Sequence, residues 1–155
     1  MAAARTGVDP AQRMHGTLVC GVTPTPEARA AAELAAALAA RLGLRLLLVH
    51  VVDPRIEGGD AHARLGEVAD GLGREVEVRV VRGHRVDELA RLAADEGADA
   101  IVVGGRPRGA RGRQVRCTLA RQLEAAQPVP VLIAPPATRP RSGRRLALAG
   151  TAAGR

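Results

Sequence analysis

The densest chemical signal in the chain runs from Asp99 through Ile101-Val102-Val103-Gly104-Gly105-Arg106-Pro107-Arg108-Gly109 to Cys117-Thr118. A short apolar run passes at once into glycines and five arginines (Arg106, Arg108, Arg111, Arg113, Arg116) with no acid among them, then into a helix-forming segment. That order describes a buried strand opening into a phosphate-sized loop at a helix N-terminus, where backbone N–H groups and the positive end of the helix dipole favour an anion. Arg106 and Arg108 carry forked donors that fit phosphate oxygens. The candidate anion-binding residues of this segment are Gly104, Gly105, Arg106, Arg108, Gly109 and Thr118. The competing reading is a solvated basic loop that only joins strand to helix, because exposed arginines are mobile and screened.

The other reactive side chains do not assemble by spacing. His15, His50, His62 and His84 lack the intervals of a metal site, so no metal is expected. His50 falls near a strand end, where packing is the simpler role. Cys20 reads as a buried strand residue. Cys117, at a helix N-terminus among arginines, stands where a thiol pKa falls. No Ser/His/Asp order, paired-carboxylate site or Gly-Lys-Ser/Thr phosphate loop stands out. Asp87-Glu88 and Asp95-Glu96 read as helix-end and solvent-face charges. The expectation is a protein that is not an enzyme.

The 155 residues suit one domain, 46% of them hydrophobic, with no Phe, Tyr or Trp. A core must then be built from Ala, Val and Leu, and no aromatic face exists on which a nucleobase could stack. All 23 basic residues are arginine and the net charge is +7. Between Met14 and Pro135, 16 arginines meet 15 acids; the flanking stretches hold seven arginines and only Asp9. The expected organisation is a disordered segment 1–14, a folded domain 15–135, and a disordered Arg/Pro/Ala-rich segment 136–155. Residues 1–15 lack an apolar signal core and no run approaches membrane-spanning length. A cytoplasmic protein without membrane association is expected, and two cysteines there do not suggest a disulfide.

Elements able to position the loop alternate along the chain. Leu18–Val22 reads as a buried strand. Thr25 caps a helix opened by Pro26 and closed near Leu42 by Gly43, with Ala30, Leu34, Leu38 and Leu42 at helical spacing. Leu44–Val52 is a nearly continuous apolar strand, as a parallel strand covered on both faces must be. A short helix follows near Asp60–Ala69. Glu75–Val81 alternates, marking an edge strand with one wet face. Val86, Leu89, Ala90, Leu92 and Ala93 mark a third helix, Ala100–Val103 a fourth strand, and about Arg113–Ala126 a fourth helix. Val129–Ala134 is a last strand with Pro130 inside it, which predicts an edge or a bulge. Such alternation means right-handed crossovers and an open parallel sheet with helices on both faces. Ligands of such sheets bind beyond the strand carboxyl ends, where the strand order reverses. If the first and fourth strands are neighbours, Thr23 after the first strand, Val51 near the end of the second, and the glycine loop after Val103 would meet there, a geometry suited to a mononucleotide.

From about Gly16 to Ala134 the chain resembles the universal stress protein (UspA) family. The resemblance rests on the opening strand and Ala-rich helix, on Leu47-Leu48-Val49-His50-Val51-Val52, on Gly97-Ala98-Asp99-Ala100-Ile101-Val102-Val103-Gly104, and on Pro128-Val129-Pro130-Val131-Leu132-Ile133. It implies a Rossmann-like five-stranded sheet in the order 3-2-1-4-5 and a homodimer paired through the last strand, Val129 to Ala134. The family's ATP-binding branch carries a glycine, two residues, a second glycine, nine residues, then a glycine followed by Ser or Thr.

Laid on that pattern, Gly104 and Thr118 match, while Pro107 and Cys117 replace the second and third glycines. Thr23, followed by Pro24, stands where an aspartate usually contacts adenosine. Proline has no N–H and a fixed φ, so Pro107 can neither donate to a phosphate nor enter a left-handed turn. Three readings stay open at this point. One is a regulatory or interaction module, with an unknown protein partner and weak or lost ATP binding. Another is an ATP or adenine-nucleotide binder in which Arg106, Arg108 and Thr118 replace the missing contacts. The third is nonspecific nucleic-acid contact through the basic flanks.

Overall fold

The computed structural model describes residues 16–23, 26–55, 59–105 and 118–135. Strands and helices alternate as β1 (Thr17–Gly21), α1 (Pro26–Leu42), β2 (Arg45–Val52), α2 (Ala61–Asp70), β3 (Glu77–Arg82), α3 (Arg85–Asp95), β4 (Ala98–Gly104), α4 (Thr118–Ala126) and β5 (Val131–Ala134). All neighbouring strands pair in parallel, in the order β3-β2-β1-β4-β5. This is the expected doubly covered sheet.

Two-residue periodicity along the strands feeds two cores. Leu18, Cys20, Leu46, Leu48 and Val102 face α1 and α2, where Ala31, Ala32, Ala35, Ala39 and Leu65 receive them. Val19, Leu47, Val49, Ile101 and Val103 face α3 and α4, packing on Val86, Leu89, Leu92, Ala120 and Leu123. Leu46, Leu47 and Leu48 of β2 are buried on both sides, which explains the unbroken apolar run. Each such side chain contributes about 1.5–3 kcal/mol by burial. The alanine stripe of α1 lets that helix lie close to the sheet and fills the core without aromatic residues. Gly43, at φ 65°, ends α1 in the left-handed conformation that its lack of a Cβ permits.

The register of β4 on β1 depends on one bulge. Thr17 pairs with Ala98 but Leu18 pairs with Ala100, so Asp99 is an extra residue. The ladder is interrupted there, and Asp99 Oδ2 accepts the Thr17 N–H at 2.9 Å in its place. Gly16 must be glycine beside it, since a Cβ would lie 1.9 Å from Asp99 Oδ2 and 2.9 Å from Leu44 Cδ2. Beyond the bulge the pairing is regular, which sets Gly21 opposite Val103 and Gly104 opposite Ala134.

Several sequence expectations need correction. The last strand runs from Val131, not Val129, and Pro130 precedes it rather than interrupting it. Lacking an N–H, Pro130 can pair only through its carbonyl, which accepts the Ile101 N–H at 2.9 Å. The edge position itself is as expected. The alternating strand begins at Glu77 rather than Glu75.

Glu96 is not a solvent-face charge. Its side chain is 15% exposed and takes hydrogen bonds from Arg45 and from Arg79, the latter at 2.5 Å. Glu77 meets the same two arginines at 3.0 and 2.7 Å, which closes a cluster of two arginines and two glutamates. The cluster sits at the N-terminal ends of β2 and β3, opposite the glycine loop. Burial alone would raise the Glu96 carboxyl, but the hydrogen bonds from Arg45 and Arg79 outweigh it and hold the group below the usual carboxylate range. Arg79 is held more firmly protonated, chiefly by its hydrogen bond to Glu77.

Candidate functional site

Parallel strands bring their carboxyl ends together. The crossover through α1 leaves β1 on one face, and the crossover through α3 reaches β4 on the other. The two diverge between β1 and β4, the point where a doubly wound sheet opens a crevice. Thr23 two residues past β1, Val51 next to last in β2, and Gly104-Gly105 at the end of β4 stand at that end of the sheet.

The exit of β1 is held in place by β2. The Val22 N–H donates to the Val49 carbonyl at 2.9 Å, and the Val22 carbonyl accepts from His50 Nδ1, also at 2.9 Å. A carbonyl can only accept, so Nδ1 is the donor in this bond. His50 is therefore a packed clamp that fixes where half-buried Thr23 begins. Val51 is 7% exposed and its side chain belongs to the α3 side of the core, which leaves its backbone as the part able to meet a ligand.

At the exit of β4, the Gly105 N–H donates to the Ala134 carbonyl at 2.7 Å. This extends the β4–β5 ladder past Gly104 and commits one amide of the glycine loop to the sheet. Thr118 opens α4 with an exposed side chain. Because α4 must carry the chain back to the start of β5, its N-terminus lies at the carboxyl end of the sheet. Arg106, Arg108 and Gly109 lie outside the described residues, as do Pro107, Cys117, Pro24 and Thr25. An open depression of about 300 Å³ runs along the outer side of α4, lined by Thr118, Arg121, Gln122 and Ala125. These residues form one stripe of a single helix and do not reach the β1/β4 crevice.

Cys20 is wholly buried, and burial pushes its thiol up to about 12, so it is inert at neutral pH. Among the described residues, no group of three or more His, Cys, Asp or Glu is placed to hold a metal. No described helix is long and apolar enough to cross a membrane. Sequence reasoning missed the Asp99 bulge, the His50–Val22 clamp and the Gly105–Ala134 bond. Only the first leaves a local trace, an acid just inside an otherwise apolar parallel strand.

A profile of the universal stress protein family matches residues 14–69 and 57–135. No curated protein sequence is significantly similar to the chain. Among solved structures, a universal stress protein in complex with cAMP is 25% identical, with a TM-score of 0.66 over 79% of this chain and 98% of the other. A universal stress protein from Archaeoglobus fulgidus is 23% identical, with a TM-score of 0.66 over 77% and 98%. One from Archaeoglobus fulgidus in complex with dAMP is 22% identical, with a TM-score of 0.60 over 77% and 97%.

Proposed function

The chain belongs to the universal stress protein family, and on that premise we propose that it is a regulatory or interaction module of the stress response that binds an adenine nucleotide weakly. One observation carries the weakness. The Gly105 amide is spent on Ala134 at 2.7 Å, and two residues later Pro107 has no amide to offer. A phosphate placed there is left with few backbone donors, and each hydrogen bond to a charged group contributes roughly 1.5–3 kcal/mol. Losing two such bonds weakens binding at least about a hundredfold. Thr23 adds to the deficit, since its hydroxyl lacks the charge of a carboxylate. A 25%-identical relative in complex with cAMP supports an adenine nucleotide as the class of ligand.

In this reading residues 15–135 form the working domain, in the cytoplasm, and no step of catalysis is assigned to it. Two copies pair through β5, an edge strand on which Leu132 is 40% and Ile133 51% exposed. Such an apolar edge is a template for a second strand. A further protein partner then reads the dimer.

Titration calorimetry with ATP tests the proposal: the expected dissociation constant is no tighter than about 100 μM. Stoichiometric binding in the low micromolar range would favour the second reading, a true ATP sensor in which Arg106, Arg108 and Thr118 replace the lost contacts. Under that second reading, ATP at a thousand times its dissociation constant stabilises the fold by about 4 kcal/mol.

A further inference from the structure

Strands β3 and β5 are the edges of the described sheet. Charged side chains guard the first, which carries Glu77, Arg79 and Arg82. β5 is Val-Leu-Ile-Ala and has no charge. The ladder to β4 decides which main-chain groups of β5 stay open. The Pro130 carbonyl accepts from Ile101 and the Ala134 carbonyl from Gly105, so Pro130, Leu132 and Ala134 turn their polar groups toward β4. Successive residues of a strand alternate in this respect, and Val131 and Ile133 therefore present both N–H and C=O at the free edge. Both ends of that edge are closed. Val129 would be the next outward residue, but Gln127 Nε2 donates to its carbonyl at 2.8 Å and Gln127 Oε1 accepts its N–H. At the other end, Pro135 has no N–H to offer.

We propose that this edge takes a second copy of the chain, antiparallel, about a two-fold axis at Leu132, with Gln127 closing the ladder at Val129. The proposal rests on the β5 pairing given above and adds its axis and its limits. About that axis Val131 lies opposite the partner's Ile133, and Ile133 opposite the partner's Val131. Each of these pairs exchanges both N–H···O bonds. Leu132 meets the partner's Leu132 in the close, non-hydrogen-bonded position. It does so on the α1 side of the sheet, because Leu132 is in register with Val102, which faces α1. The closed ends match too: Val129, held by Gln127, falls opposite the partner's Pro135, which lacks a donor. An axis at Val131 would set Ile133 against the partner's Val129, whose groups Gln127 occupies. An axis at Ile133 would set Val131 against the partner's Pro135. The Leu132 axis alone pairs open groups with open groups throughout. An edge complementary to itself about one residue suits an isologous copy better than a foreign strand.

Cysteine cross-linking of the full chain tests the axis. In a C117S background, where Cys20 is buried, L132C, V131C and I133C are each oxidised in a glutathione buffer and read on a non-reducing gel. Opposed Leu132 positions have Cα atoms roughly 4.5–5.5 Å apart, inside the roughly 4.4–6.8 Å that a disulfide spans. Position 131 and its own copy, and likewise 133, are diagonal neighbours at roughly 7–8 Å. L132C is therefore expected to cross-link at least about tenfold faster than V131C or I133C. Removing the Gln127 amide opens Val129 and with it the Val131 axis, so V131C is expected to cross-link once Q127A is added. Faster cross-linking of V131C or I133C than of L132C overturns the axis and leaves the β5 pairing standing. No cross-link in any variant overturns both, whether the parent chain sediments as a monomer or as a dimer. V131C that cross-links no faster with Q127A overturns the part given to Gln127.

Discussion

Replacing Asp99 by alanine removes the acceptor that the Thr17 N–H meets at 2.9 Å. Thr17 is 5% exposed, so water does not take its place. A buried donor left unsatisfied costs about 1–3 kcal/mol. In a domain of this size each kcal/mol moves Tm by about 3–5 °C, so D99A is expected to melt about 3–15 °C below the parent. D99N keeps an acceptor and is expected to lose less. Gly16 supplies a second arm, because G16A drives a methyl to 1.9 Å from Asp99 Oδ2. That clash disappears when the carboxylate is gone, although Leu44 Cδ2 at 2.9 Å still resists the methyl. The two changes are therefore expected to be non-additive, with G16A costing at least about 1 kcal/mol less in the D99A background than alone. Urea and thermal unfolding of the four proteins measure the cycle. Additivity within about 0.5 kcal/mol, the behaviour of independent sites, would refute the bulge as the device that sets β4 on β1. The bulge matters for function because it fixes the level at which Gly104 and Gly105 leave the sheet relative to Thr23.

Other outcomes follow from the same geometry. The lowered pKa of Glu96 means that its stabilisation is complete above the ordinary carboxylate range and is lost as pH falls through its folded value. E96Q is therefore expected to be less stable at pH 7 by on the order of 1 kcal/mol, with the gap closing in acid, read from urea midpoints at successive pH values. With Cys20 buried and its thiol pushed up to about 12, the folded C117S variant is expected to be silent toward an aromatic disulfide reagent until denatured. A fast-reacting thiol in that variant would contradict the packing of β1. Ile133→Arg places a charge on an exposed position of the β5 edge and is expected to give a folded monomer in sedimentation, whereas an unchanged mass would place any dimer contact elsewhere.

The strand–helix alternation was legible because local signals carried it: Thr25-Pro26 and Gly43 around α1, the Leu44–Val52 run, and Gly97 before β4. Order β3-β2-β1-β4-β5 was legible only through resemblance, since no local pattern states which strands are neighbours. The misread places have a common cause. Glu96 and Arg45 are separated by 51 residues, and Asp99 and Thr17 by 82, so their hydrogen bonds exist only once the sheet is assembled. The apolar neighbours of Pro130 continue the strand pattern, while its missing N–H decides the boundary at Val131. The places of Thr23, Val51, Gly104 and Gly105 at the carboxyl end of the sheet follow from the strand ends once β1 and β4 are neighbours. Gly105's donation to Ala134 could not, because it depends on the register of an edge strand. Arg106, Arg108 and Gly109 lie outside the described residues, so their role stays a proposal.

Restoring the glycine loop tests the central claim most directly. P107G/C117G returns a backbone amide and removes a Cβ at the family's two glycine positions, and one recovered hydrogen bond to phosphate contributes roughly 1.5–3 kcal/mol. Calorimetry is expected to show ATP binding about 10- to 100-fold tighter than in the parent chain. The same affinity in both proteins would contradict the account.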